Sequence, residues 1–250
     1  MRRLLLSALL MVFGPLSAAA QPAIVAKPKA DVAAAHFGAV LQQALGAIGQ
    51  AGSYALDVES KWGAVADPQG PQGAHRYRLV WQAGKYRVEV QSPAAGAAEL
   101  LCVNDGANVT TYFPARKLYS QHAIDSPQAS LEANKMLALS LQGSAIDILL
   151  QRDVAGFVHT QASQLTDHGD VVLEGKKAHH FELVWSGAKV QLWFASEGVP
   201  LLLQFTRTTY VPTSAGERYE QVCTAKFKWQ LGAKPGEGTF ALQFPRMPAS

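Results

Sequence analysis

From Ala178 to Tyr210 the chain reads AHHFELVWSGAKVQLWFASEGVPLLLQFTRTTY, and this stretch narrows the fold further than any other. Apolar and polar residues alternate with a period of two, the repeat of a strand with one buried face. Phe181, Leu183 and Trp185 oppose His180 and Glu182. Val190, Leu192 and Phe194 oppose Gln191 and Trp193, and Leu201, Leu203 and Phe205 oppose Gln204, Thr206 and Thr208. Ser186-Gly187 and Ser196-Glu197-Gly198 separate the runs as turns. The expectation is an antiparallel meander with one apolar face and one wet face.

The same pattern recurs upstream and downstream. Tyr54–Trp62 places Tyr54, Leu56, Val58 and Trp62 on one side. His75–Trp81 and Tyr86–Gln91 form a hairpin around Gln82–Lys85, with Tyr77, Leu79 and Trp81 on one face, then Tyr86, Val88 and Val90. Glu99–Val103 and Ala107–Phe113 flank Asn104-Asp105-Gly106, residues that tolerate positive φ in a hairpin turn. Lys117–Ala123, Ala162–Asp167, Val171–Glu174 and Tyr219–Leu231 complete about ten expected strands. In the last of them Cys223, Phe227 and Trp229 share a side.

Two segments carry helical spacing instead. Asp31 is a plausible N-cap for a helix to about Gln50, with Phe37, Val40, Leu41, Ala44, Leu45 and Ile48 on one face. Ser126-Pro127 starts a second helix to Leu141, and Ala145–Gln151 follows as a short apolar one. The mid-chain block Ser126–Arg152 therefore interrupts a β chain. Strands with helices on one side describe an α+β domain, a curved antiparallel meander sheet with an N-terminal helix and a mid-chain helical insert on its concave face.

The N-terminus gives the address. Met1-Arg2-Arg3, the apolar Leu4–Phe13 and Ser17-Ala18-Ala19-Ala20 make a secretory signal peptide over residues 1–20, cleaved before Gln21. Residues 21–30 read as a flexible leader and 31–250 as one domain. No Cys follows the cleavage site for lipid attachment, and no later stretch reads as long and apolar enough to span a bilayer. The expected location is the periplasm. Two of the charges behind the formal +3 lie in the leader, Arg2 and Arg3, so the remainder is near +1 (3 minus 2), without a Lys/Arg cluster. Nucleic acid and a polybasic membrane patch are excluded as partners.

Chemistry is harder to find. No Gly-x-Ser-x-Gly elbow, phosphate loop or Cys-x-x-Cys occurs. His179 and His180 are adjacent on a strand and point to opposite faces, and the other histidines show no metal-ligand spacing, so no metal, cofactor or enzymatic activity is expected. Cys102 and Cys223 stay open between a disulfide, which export permits, and two buried thiols.

Glu174–Tyr210, with Ala178-His179-His180-Phe181, Val190-Gln191-Leu192-Trp193-Phe194 and Gly198-Val199-Pro200-Leu201, resembles a predicted periplasmic family of unknown function. Ala145–Asp153 and the Asn-Asp-Gly hairpin followed by Tyr112-Phe113-Pro114 fit it too, so the resemblance runs from about Asp31 to Phe244. This chain departs at Val190, where the family tends to carry Trp, and at Phe181, where Leu is usual. The family looks related to the lipoprotein carriers of the LolA, LolB and LppX type. That relation implies an unclosed half-barrel around helices with an apolar cavity.

The resulting expectation is a monomeric periplasmic carrier for a hydrophobic ligand: a lipid, an acyl chain or a lipidated protein. Strand alternation selects Trp62, Leu79, Trp81, Val88, Phe181, Leu183, Leu192, Phe194, Phe205 and Phe227 as lining residues, subject to register. Leu131, Leu137, Ile146, Leu149 and Leu150 would form its lid. The alternative is a protein-interaction or envelope-stress sensing module with an envelope protein as partner.

Overall fold

A computed structural model describes residues 28–65, 72–93, 98–124, 162–185, 188–212 and 218–242. The expected lid residues Leu131, Leu137, Ile146, Leu149 and Leu150, the whole mid-chain insert and residues 1–27 lie outside them; the last three residues of the expected leader, Pro28–Ala30, are helical instead.

The helix α1 runs over Pro28–Gln50, three residues earlier than the Asp31 cap would place its start. Pro28 suits a first helical turn, whose amides have no intrahelical acceptor. Ala33, Phe37, Val40, Leu41 and Ala44 are buried along one stripe. The opposite stripe, including Gln42, Gln43 and Gly46, is exposed. Contrary to the sequence expectation, Val32–Gln50 is long and apolar enough by composition to cross a membrane. Its buried stripe instead packs on a sheet: Phe37 and Leu41 are completely covered.

The chain then leaves α1 as a meander: β1 (Ser53–Ala64), β2 (Gln72–Gln82), β3 (Lys85–Gln91), β4 (Ala98–Asn104), β5 (Asn108–Phe113) and, after a 3-10 turn at Pro114–Arg116, β6 (Leu118–Ala123). A second meander follows: β7 (Ala162–Leu173), β8 (Lys176–Trp185), β9 (Ala188–Ala195), β10 (Leu202–Pro212) and β11 (Arg218–Leu231). One antiparallel sheet of eleven strands results, in the order β6-β5-β4-β3-β2-β1-β11-β10-β9-β8-β7. The two meanders meet at the centre, where Tyr54 pairs with Leu231 and Trp62 with Cys223. β6 and β7 are the two ends and do not pair, so the sheet is unclosed.

The register confirms most of the alternation. Leu56, Val58, Tyr77, Leu79, Tyr86, Val88 and Val90 stand on one face in adjoining rows and are buried. Phe181, Leu183, Val190, Leu192, Phe194, Phe205, Ala225 and Phe227 continue it on the other side of β1. This inner face carries α1, with the Phe37 ring 5.1 Å from Phe181 and 6.1 Å from Phe194. The outer face carries ion pairs such as Arg78–Asp57 at 3.5 Å and Arg87–Glu89 at 2.6 Å.

Bulges account for the departures. A register shift between Leu202 and Gln204 leaves Leu202 buried together with Phe205, while Leu201 and Leu203, the expected inner residues, are only half-buried. A bulge puts an extra residue on one strand and moves its neighbours to the other face. A second shift at Asp167/Gly169 lets Ala162–Leu173 run as one strand rather than the two expected. In the β4–β5 turn only Gly106 has positive φ; Asp105 acts through its carboxylate, which accepts the amides of Ala107 and Asn108 at 2.8 Å each.

The cysteines are free thiols. β4 and β11 stand four strand intervals apart, about 19 Å along the sheet, whereas a disulfide needs Cα atoms within about 7 Å. Thr111 donates to the Cys102 sulfur at 3.7 Å, and Ser60 lies 3.5 Å from that of Cys223. Burial pushes the Cys102 thiol up to about 11 and raises Cys223 as well, so both stay protonated and unreactive near neutral pH.

Candidate functional site

Eight of the ten residues selected from the sequence lie in one continuous cluster on the inner face: Leu79, Val88, Phe181, Leu183, Leu192, Phe194, Phe205 and Phe227. Trp81 packs against that cluster partly buried, stacked on Tyr54 at 5.8 Å, with Trp229 on Tyr54's other side at 5.9 Å. Burial pushes the Tyr54 phenol up to about 12. Trp62 is half-buried and sits further along β1, its indole lying over Gly73; a Cβ there would meet the ring at 2.3 Å. Arg207 belongs to an inner row too, between Val190 and Cys223, and adds a cation to a mostly apolar surface.

Two open clefts lie elsewhere. One of about 550 Å³ lies on the outer face between β2, β3 and the chain after β11, lined by Arg78, Arg87, Glu89, Lys234 and Thr239 among others. Another of about 490 Å³ is lined by Asp57, Glu59, Arg76, Arg78 and Lys228. Both are charged and shallow, unlike the apolar pockets that hold small organic ligands.

Two histidine stations were not legible from spacing. On the outer face His168, at the β7 bulge, stacks on His180 at 4.5 Å, and His180 stacks on Trp193 at 4.6 Å and 3°. On the inner side His36 of α1 reaches Asp167 of β7 at 2.7 Å from Nδ1, and His179 of β8 reaches the other carboxylate oxygen at 2.7 Å from Nε2. The expectation that adjacent His179 and His180 face opposite ways holds, and each belongs to a separate cluster. His36 and Asp167 are 131 residues apart in sequence. Only the packing of α1 on β7 brings them together, and the β7 bulge sets the carboxylate, which also accepts the Gly169 amide at 2.8 Å. Burial raises the Asp167 carboxyl, but the hydrogen bonds from His36, Gly169 and His179 outweigh it and hold the group below the usual carboxylate range.

His180 gives the first testable consequence. Burial, followed by the charge of His168, holds its imidazole below the ordinary histidine range; Glu182 opposes this and Lys189 reinforces it. Folded His180 thus binds fewer protons than unfolded His180 around and below the unfolded value of about 6.5. Its contribution to stability is present above that pH and falls as pH drops through it. Urea midpoints at pH 8 and pH 5.5 should differ more for the native chain than for His180→Gln. Equal differences would show that the stack tolerates a charged ring.

The family model described as "Predicted periplasmic protein (DUF2092)" matches residues 38–248. The chain belongs to that family. A DUF2092 protein is periplasmic by this description, in agreement with the leader. No curated protein matches the chain in sequence. Among solved structures, this DUF2092 chain is similar to the Mycobacterium tuberculosis lipoprotein LppX at 12% identity, covering 78% of this chain and 94% of that one, with a TM-score of 0.40. A LolA superfamily protein from Nitrosomonas europaea matches at 12% identity, 82% and 96% coverage and a TM-score of 0.34. A chain of the Pseudomonas aeruginosa MucA/MucB complex matches at 12% identity, 82% and 60% coverage and a TM-score of 0.39.

Proposed function

We propose that the protein binds an apolar ligand, a lipid or an acyl chain, against the inner face of its sheet and carries it in the periplasm. The observation that supports this reading is a mismatch of areas. Eleven strands give a sheet about 48 Å across, while a helix covers a strip about 10–12 Å wide. The helix meets the inner face at Phe181 and Phe194, while the apolar rows continue past β1 to Val88, Val90 and Leu100 on β3 and β4. These side chains are buried in this state, so loading requires the inner face to open. Each buried methylene of an acyl chain would then contribute about 0.8 kcal/mol.

Native mass spectrometry of protein purified from periplasm is expected to show a bound hydrophobic mass that organic extraction removes. Adding a long-chain fatty acid at 100 times its Kd to the stripped protein should stabilise it by about 2.7 kcal/mol. A single unliganded mass together with an unshifted melting curve would overturn the reading.

A second reading, a protein-interaction module, is favoured by the end strand β6. It is exposed along its length, including Leu118 and Tyr119. A strand at the end of the described order can take a partner strand by backbone pairing. Crosslinking in cells would then capture an envelope protein on a Tyr119-centred probe.

A further inference from the structure

His36, Asp167 and His179 come from three elements, and one donor atom of each lies within 4.8 Å of the others. The set is two imidazole nitrogens and a carboxylate. That combination suits zinc and its neighbours in the first transition row, and not magnesium or calcium, which favour all-oxygen shells. The nitrogens approach opposite oxygens of one carboxylate, so the three residues turn their donor atoms toward one another.

A ligating imidazole needs its second nitrogen held, which fixes the tautomer and the ring plane. His179 directs Nε2 at Asp167 and Nδ1 at Asp170, 3.1 Å away. Asp170 is held in turn by the Ser196 hydroxyl, which donates to it at 2.7 Å. The rings of His36 and His179 sit edge to face at 4.5 Å, and Phe181 closes the inner side at 4.8 Å from His179. Asp167 and His179 are largely covered while His36 is about two-fifths exposed, which leaves an entry route from solvent. Zinc bonds of about 2.0–2.1 Å need donors about 3.3 Å apart in a tetrahedron, so seating the ion means widening the two 2.7 Å contacts and bringing all three donors, which lie within 4.8 Å of one another, to about that spacing.

We propose that His36 Nδ1, His179 Nε2 and the Asp167 carboxylate bind one divalent transition-metal ion, with zinc(II) the best fit and water in the fourth position. Asp170 is the positioning residue for His179. Because His36 rides on α1 and the other two ligands on the sheet, the ion pins the helix to the β7–β8 edge.

The test uses tag-free protein stripped with a chelator and titrated with zinc(II), cobalt(II) and magnesium(II). One equivalent of cobalt should give the intense visible bands of a four-coordinate site. Zinc should raise Tm, and magnesium should leave it unchanged. His36→Ala removes an exposed ligand on α1 and should weaken zinc binding at least about tenfold without unfolding the protein; Asp170→Asn should weaken it by about 10- to 100-fold. His168→Ala at the outer histidine station should bind zinc as the native chain does. Absence of the cobalt bands, or zinc affinity unchanged in His36→Ala, would overturn the site and leave the trio as a hydrogen-bonded contact only.

Discussion

Phe181→Ala is expected to lower the unfolding free energy by about 3–5 kcal/mol, measured from the urea midpoint at constant m. The side chain is completely buried on β8. Its ring meets Phe37 at 5.1 Å, His36 at 5.5 Å and Phe194 at 6.2 Å, all near edge to face. Such pairs add about 0.5–1.5 kcal/mol beyond the area they bury. Truncation therefore removes the transfer term, the ring contacts of α1 and the packing wall behind His179. The cavity cannot collapse easily, because β8 is held on both sides by β7 and β9. Phe181→Leu should recover more than half of the loss, since it restores volume without the ring edges. A loss below about 1 kcal/mol in the alanine variant would mean that α1 docks elsewhere on the sheet in solution.

That residue also marks how far the sequence can be read. Phe181, Leu192 and Phe227 were assignable to the inner face because strand alternation is local and strict. The pairing of β1 with β11, which joins the two meanders, was not legible, because it depends on contacts across almost the whole domain. Leu201 and Leu203 were misplaced because a bulge obeys no local period: one added residue reversed the faces between Leu202 and Gln204. The His36–Asp167–His179 cluster was invisible for the same two reasons together, a helix docking 131 residues away and a bulge that turns Asp167. Spacing rules find metal ligands when they share one element or loop; these three share none.

Asn104→Ala should cost about 1–3 kcal/mol, a large effect for a residue in a turn. Asn104 has no exposed surface. Its Nδ2 donates to the Gly84 carbonyl at 3.1 Å, and its Oδ1 accepts the Gly106 amide at 2.7 Å. One side chain thus ties the β2–β3 turn, where Ala83 and Gly84 both take positive φ, to the β4–β5 turn, where Gly106 does. Removing it leaves the carbonyl of half-buried Gly84 without that partner, while the amide of exposed Gly106 can turn to water, and an unsatisfied group costs about 1–3 kcal/mol. Asn104→Asp separates the two bonds. It keeps the acceptor for Gly106 but points a carboxylate at the Gly84 carbonyl, so above the carboxylate pKa it should be more damaging than alanine. Asn104→Asp recovering toward alanine as the pH is lowered to 4, read in parallel urea titrations, would identify the Gly84 bond as the one that holds the two hairpins in register. An alanine variant within about 0.5 kcal/mol of the native chain would instead show that the turns are fixed by their backbone alone.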